Sequence, residues 1–131
     1  MPCCASIAAA RYQPFAFATD LADRIRAADL VISRAGASTL SEVSAIGIPM
    51  ILVPYPYAGG HQRLNVTPYA LAGAAVVIAD EEVLGRLRGV LTSVIDDTSR
   101  YRTMVEAMRG LGRPYAAEEV VRLLHEAARR H

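Results

Sequence analysis

Short apolar runs alternate along the chain with longer segments in which apolar residues recur at helical spacing. The runs "LVIS" (30–33), "PMILVP" (49–54) and "AVVI" (75–78) are almost continuously apolar, which is typical of strands buried on both faces of a parallel sheet. The segment "RYQPF" (11–15) predicts one more short strand. Strands separated by helices favour parallel βαβ units over hairpins.

Helical spacing marks the segments between these runs. Leu21, Ile25 and Ala28 share one face of a predicted helix, which Thr19 or Asp20 can cap. Two more helices are predicted, over 38–46, ended by Gly47, and over 63–72, kinked at Pro68 and ended by Gly73.

The half of the chain from residue 80 onward carries no strand signal. Asp80 is a good cap for a helix with a wide apolar stripe, and two more helices are predicted over 99–111 and 116–130. We expect this half to be packing scaffold for the sheet. The stripe comprises Val83, Leu84, Leu87, Val90, Leu91 and Val94.

Composition indicates one folded domain. The chain has 131 residues, of which 53% are hydrophobic and 21% charged. This length suffices for one core. The formal net charge of +1, from 14 Lys+Arg against 13 Asp+Glu, provides no basic surface for a nucleic-acid backbone. Nucleic acid is therefore not a predicted partner.

The N-terminus contributes no metal or redox motif. Cys3 and Cys4 are adjacent, which is neither a CxxC pair nor metal-ligand spacing, and we predict no metal and no cofactor. Residues 1–11 are expected to be disordered. No apolar stretch approaches the ~20 residues of a membrane span, and "MPCCASIAAA" (1–10) lacks the positive n-region and long h-region of a secretory signal. We therefore expect a cytoplasmic protein whose membrane contact is peripheral.

The stretch "RAGASTLSE" (34–42) follows the first apolar run, where a strand gives way to a helix. Ligands of doubly wound sheets bind at this edge, and a helix N-terminus offers free N–H groups to a phosphate. Gly36 and Ala37 allow a ligand to approach the backbone, and Ser38 and Thr39 add hydroxyls. The stretch therefore predicts an anion site.

Ordinary helix capping explains the same residues. Ser38 or Thr39 can be a plain N-cap, and Thr39 with Glu42 has the spacing of a capping box. In the functional interpretation, Glu42 instead accepts hydrogen bonds from a ribose diol. Both interpretations stay open.

A second polar loop covers 54–62 and leads into His61, Gln62 and Asn65. Amide side chains donate and accept at once, which suits sugar hydroxyls, but surface amides beside a loop histidine are equally ordinary. Arg34 can meet a phosphate or pair with a neighbouring carboxylate. Tyr55 and Tyr57 are expected to be packing and rim residues.

No nucleophile and base combination stands out. Ser33, Ser38 and Ser41 lack the G-x-S-x-G elbow, and His61 is far in sequence from His125 and His131. If the chain acts in an enzyme, its catalytic base is expected outside these residues.

The ordered motifs "SRAG", "TLSE", "GIP", "VP", "HQxxN" and "AGAA" resemble the C-terminal, donor-binding domain of the MurG family of peptidoglycan glycosyltransferases. The similarity runs from about Tyr12 to the C-terminus. It implies an α/β fold, a partial Rossmann-like parallel sheet with flanking helices, like the C-terminal half of a GT-B glycosyltransferase. It further implies an inverting transfer of N-acetylglucosamine from UDP to a lipid-linked muramyl pentapeptide at the inner face of the membrane.

The resemblance also implies a role for each matching position. Ala18 resembles the residue whose backbone reads uracil, with Phe17 and Leu21 beside the base. Glu42 resembles the acid that binds the ribose. Six residues resemble the loop and helix start under the diphosphate: Gly36, Ala37, Ser38, Thr39, Leu40 and Ser41. Two more, His61 and Gln62, resemble the pair that faces the hydroxyls of N-acetylglucosamine, with Asn65 close behind.

These 131 residues contain neither the family's acceptor domain, with its "GxGGH" loop, nor the "GGSQG" phosphate loop of the family's donor domain. We therefore expect domain 12–131 to be an incomplete donor domain that is inactive alone. In the family's strand order, "LVIS" would lack its neighbour, and an open edge favours association. We expect the chain to pair "RYQPF" with "LVIS", to self-associate through that edge, or to dock on a partner that carries the acceptor domain. A non-catalytic UDP-sugar-binding subunit and a degenerate fragment are the alternative functions.

Overall fold

A computed structural model describes residues 12–57 and 61–130, with only the backbone of His61. The predictions for residues 1–11 therefore lie outside the described residues. Among the described residues, no helix is long and apolar enough to cross a membrane.

Three short parallel strands form the sheet. β1 is Val31–Ser33, β2 is Met50–Leu52 and β3 is Ala75–Val77, and they lie in the order β1-β2-β3. In register, Ile32 lies opposite Ile51, which lies opposite Val76. The α/β fold with a parallel sheet is confirmed, and each of the three strands is shorter than its apolar run.

Helices connect the strands and continue after them. The helix over 38–46 is confirmed, and Gly47 ends it at φ 88° as predicted, while Gly73 follows the next helix at φ 73°. Pro68 lies inside that helix. The helices are α1 (Leu21–Arg26), α2 (Ala37–Ile46), α3 (His61–Leu71), α4 (Val83–Ile95), α5 (Thr98–Leu111) and α6 (Ala116–Ala128), with a 3₁₀ turn at Asp80–Glu82.

Side chains of β2 alternate between two cores, one on each face of the sheet. Met50 and Leu52 join the core packed by α1, α2, α3 and α5, whereas Ile51 joins the core packed by α4. All three side chains are fully buried. β2 is therefore the central strand, as its continuous apolar run predicts.

The predicted strand at "RYQPF" is wrong for the described residues. Residues 12–15 are irregular and exposed and pair with no strand, so "RYQPF" does not cover β1. Burial of "LVIS" on both faces is also wrong, because Ile32 is 44% exposed. β1 is an edge strand, and the apolar residues of α4 pack over β2 and β3.

Two expectations for the helical half are also wrong. Leu84 is fully exposed, because α4 meets the sheet through Val83, Leu87, Val90 and Leu91 instead. α6 buries no residue, so it is not packing scaffold for the sheet within the described part of the chain. Its four large apolar residues are each more than half exposed: Val120, Val121, Leu123 and Leu124.

Candidate functional site

Two loops leave the sheet at the carboxyl ends of neighbouring strands. The first leads from Ser33 to the start of α2 at Ala37, and the second from Leu52 to the start of α3 at His61. Parallel strands place both loops at one edge of the sheet. The prediction that they meet there is confirmed by direct side-chain contacts.

Gln62 and Asn65 of α3 make these contacts. The Oε1 atom of Gln62 accepts hydrogen bonds from the N–H groups of Ala35, at 3.2 Å, and Tyr55, at 2.9 Å. The Nδ2 atom of Asn65 donates to the carbonyl oxygen of Ala35 at 3.1 Å. The Oε1 atom of Gln62 therefore joins both loops. The Nε2 donor of the same side chain has no partner among the described residues.

The capping box predicted at the start of α2 is wrong. The N-cap is Gly36, in an extended conformation, and no side chain caps the helix. Thr39 is the third helical residue, so its side chain is not placed to cap, and Glu42 lies a further turn along. The chain enters the helix at Gly36. The S/T-x-x-E spacing of Thr39 and Glu42 therefore begins one turn after the residue that occupies the N-cap.

The uncapped end of α2 leaves N–H groups available. The first intrahelical hydrogen bond runs from the N–H of Leu40 to the carbonyl of Gly36 at 3.0 Å. The N–H groups of Ala37, Ser38 and Thr39 precede it and have no acceptor within the described residues. These three donors and the helix dipole form the positive end of the site.

Side chains on the first turns of α2 differ in what they can offer a ligand. Ser38 and Glu42 are exposed and Thr39 is half-buried. The hydroxyl of Ser41 donates to the carbonyl of Ala37 at 2.9 Å, and Leu40 is buried in the core. Leu40 can therefore reach a ligand only through its backbone.

Arg34, the residue after β1, is held by groups that follow β2 and β3. Its guanidinium pairs with the carboxylate of Asp80, donates to the carbonyl of Val53 at 3.4 Å, and lies 5.6 Å from the ring centre of Tyr55. Of the two roles left open for Arg34, the structure shows the pairing with a neighbouring carboxylate. The predicted cap at Asp80 is wrong, because Asp80 is the first residue of the 3₁₀ turn and Ala79 occupies the cap position.

The tyrosines of the second loop lie at its rim. Tyr55 and Tyr57 form an edge-to-face pair with ring centres 5.7 Å apart. Both rings are exposed. This agrees with their prediction as packing and rim residues.

The segment before α1 carries the residues compared with a uracil pocket. Ala18 is half-buried, whereas Phe17 is 83% exposed and Leu21 is also exposed. Arg24 donates to the carboxylate of Asp20 at 2.8 Å, and this hydrogen bond lowers the pKa of Asp20. α1 packs against α2, so this segment lies on the α2 side of the site.

A shallow groove runs between α2 and α3. It is lined by Leu40, Ser41, Leu64, Asn65, Pro68 and Tyr69, among others. The described residues contain no group of three or more His, Cys, Asp and Glu side chains that could hold a metal ion. The chemistry that this arrangement offers is anion binding by backbone N–H groups beside polar side chains.

A comparison with protein families decides the affiliation. The model of the glycosyltransferase family 28 C-terminal domain matches residues 5–120. The chain belongs to glycosyltransferase family 28. The resemblance of its motifs is thereby confirmed, and the sequence corresponds to the family's C-terminal domain.

Curated relatives of this family 28 domain are much longer proteins. One from Corynebacterium diphtheriae is 40% identical over 122 residues, which cover 92% of this chain and 34% of the relative. One from Chelativorans is 48% identical over 103 residues, covering 77% and 28%. Both are named UDP-N-acetylglucosamine--N-acetylmuramyl-(pentapeptide) pyrophosphoryl-undecaprenol N-acetylglucosamine transferase. The chain spans about a third of the length of these relatives.

A solved structure agrees with the family 28 assignment. The crystal structure of Acinetobacter baumannii MurG superposes with a TM-score of 0.76 at 30% sequence identity, covering 87% of this chain and 33% of that one. The sheet and helices described above therefore correspond to one part of a larger glycosyltransferase.

Proposed function

We propose that this family 28 domain binds UDP-N-acetylglucosamine and presents it for transfer to a lipid-linked acceptor. The observation that carries the proposal is the uncapped N-terminus of α2, where the N–H groups of Ala37, Ser38 and Thr39 have no acceptor in the described part of the chain. Exposed Glu42 lies on the next turn of the helix. A diphosphate on the N–H groups with a ribose on the carboxylate is the arrangement expected for a nucleotide.

The remaining contacts follow the family's pattern. The backbone of Ala18 would read the uracil. By that pattern, His61 and Gln62 would bind the sugar hydroxyls, and the Nε2 donor of Gln62 has no partner among the described residues. Gly36, Leu40 and Ser41 complete the loop and helix start beneath the diphosphate.

In the transfer, this domain stabilises the departing UDP. Negative charge grows on the diphosphate as the glycosidic bond breaks, and preorganised N–H donors and a helix dipole stabilise it without reorganising. The base that activates the acceptor hydroxyl is supplied by protein outside these 131 residues. The complete reaction belongs to peptidoglycan synthesis at the inner face of the plasma membrane, with a lipid-linked muramyl pentapeptide as acceptor.

Calorimetric titration of the chain with UDP-N-acetylglucosamine tests the proposal. We expect saturable binding, and a loss of about tenfold in affinity for Glu42→Ala, because two charge-assisted hydrogen bonds to the ribose disappear. Glu118→Ala, which removes the same charge from exposed α6, is the matched control and should bind as the parent does. Absence of binding, or equal affinity in the Glu42 variant, contradicts the donor site.

A second candidate is a non-catalytic donor-binding subunit that associates through the open edge of β1. Val31 donates to the carbonyl of Pro49, and the carbonyl of Ser33 accepts from Val53. Alternation along a parallel strand then directs the peptide groups of Ile32 to the open edge. Self-association there, or docking of a partner carrying the acceptor domain, would cover it.

Light scattering after size-exclusion chromatography separates these cases. Self-association predicts a dimer or larger species that Ile32→Lys converts to monomer, because a charged edge strand resists pairing. A parent chain that is monomeric at every concentration contradicts self-association. In that case docking on a partner is the remaining possibility for the second candidate, and co-purification with an acceptor domain tests it.

A further inference from the structure

Side chains of α3 hold both backbone polar groups of Ala35, which belong to two successive peptide units. Its N–H donates to Oε1 of Gln62 at 3.2 Å, and its carbonyl accepts from Nδ2 of Asn65 at 3.1 Å. Ala35 is fully buried. It lies beyond the end of β1 and before α2, so neither a strand nor a helix ladder supplies these partners. The two amide side chains take the place of secondary structure at this residue.

We call the two contacts of Gln62 and Asn65 with Ala35 the clamp. It lies one residue before the cap of α2, Gly36. Gly36 follows Ala35, and its carbonyl accepts the first hydrogen bond of α2, from Leu40. On the other side of Ala35, the Arg34 side chain is fixed by Asp80 and Val53. A displacement of the Ala35 peptide therefore carries the start of α2 with it.

We propose that Asn65 is a positioning residue for the diphosphate: with Gln62 it fixes the backbone on both sides of Ala35, and thereby the direction of the N–H groups at the start of α2. This inference rests on the proposed function and deepens it. It assigns one N–H of the Asn65 Nδ2 group to the loop rather than to the sugar. Positioned donors lose effect when misplaced by a fraction of an ångström.

Three ligands distinguish this role from its alternatives. Asn65→Leu keeps the approximate shape of the side chain and removes its donor, and Asn65→Ala serves as a second variant. Calorimetry with uridine, UDP and UDP-N-acetylglucosamine should show about tenfold weaker binding of UDP and of the nucleotide sugar, with uridine unchanged. Thr67→Ala, which removes only a hydroxyl bonded to Arg63 on the same helix, should leave all three affinities unchanged.

The competing roles give different results. A sugar contact would weaken UDP-N-acetylglucosamine alone, and a loss of folding would weaken all three ligands equally. Either result overturns the positioning role. A parent chain that binds no nucleotide contradicts the proposed function and, with it, the diphosphate role of Asn65.

Amide hydrogen exchange tests the clamp itself without nucleotide. In Asn65→Leu, the amide of Ala35 should exchange at least about tenfold faster than in the parent, because loss of the Asn65 donor to the Ala35 carbonyl loosens the residue whose N–H donates to Gln62. Ile51 in the central strand should keep its protection. Unchanged exchange at Ala35 overturns the clamp whatever the ligands do.

Discussion

The guanidinium of Arg34 pairs with the carboxylate of Asp80, and this contact joins the residue after β1 to the turn after β3. The same guanidinium reaches the carbonyl of Val53, the residue after β2. One side chain therefore connects the segments that follow all three strands. The two side chains of the pair are 51% and 34% exposed, so water screens their attraction.

A double-mutant cycle on Arg34→Ala and Asp80→Ala measures this pair. We expect a coupling free energy of about 0.2–1 kcal/mol in denaturant unfolding, the range of partly exposed ion pairs. Glu81, the adjacent carboxylate, is the control partner and should show coupling near zero. If the coupling free energy between Arg34 and Asp80 is as small as that between Arg34 and Glu81, the ion pair does not stabilise the loop.

Gly112 is required where the end of α5 meets α2. A Cβ atom at this position would lie 2.3 Å from the carbonyl oxygen of Ser44, a contact that only backbone movement relieves. Gly112→Ala should therefore lower the free energy of unfolding by about 1–3 kcal/mol. Gly110→Ala, two residues earlier and in open space, should instead raise it by about 0.5 kcal/mol. Equal effects of the two substitutions in thermal or denaturant unfolding would argue against this packing.

Asp97 caps α5. Its Oδ1 atom accepts a hydrogen bond from the N–H of Arg100 at 2.9 Å, whereas α1, α2, α4 and α6 have no side-chain cap. Asp97→Ala should lower the free energy of unfolding by about 1 kcal/mol. Asp96→Ala removes the neighbouring, exposed carboxylate and should cost less than half as much. If Asp96→Ala is the more destabilising of the two, the cap is misassigned.

Leu84 and Met108 have opposite environments despite similar hydrophobicity. Leu84 is fully exposed, whereas Met108 is fully buried in the core beside α2. Leu84→Ala should change the free energy of unfolding by no more than about 0.5 kcal/mol, and Met108→Ala should lower it by about 2–5 kcal/mol. Denaturant unfolding measures both, and a cost above about 1 kcal/mol for Leu84→Ala would place that side chain in a core.

The central part of the fold was predictable because its signals are local and consistent. β2 has an unbroken apolar run, and α2 ends at a glycine that takes φ 88°. The strand predicted at residues 11–15 failed, although the edge of β1 is open, because strand propensity depends on packing against neighbours, and Tyr12 and Phe15 are both more than half exposed. Leu84 failed because the stripe of α4 is wider than the surface that it covers.

The candidate site was predictable in position but not in its contacts. Loops after neighbouring parallel strands meet by topology, so residues near Gly36 and Gln62 could be placed together. The contacts between Ala35 and Asn65, and between Arg34 and Asp80, join residues 30 and 46 positions apart. No local pattern specifies such pairs, and the spacing of Thr39 and Glu42 pointed to a cap that Gly36 occupies.

Amide chemical-shift mapping with UDP-N-acetylglucosamine tests the central claim most directly, because it locates the ligand as well as detecting it. The largest changes should fall on the backbone N–H groups of Ala37, Ser38 and Thr39, with further changes at Glu42 and Ala18. Saturation of these changes at one common affinity would support a single donor site. Shifts that leave the start of α2 unaffected, or that are confined to α6, would contradict it.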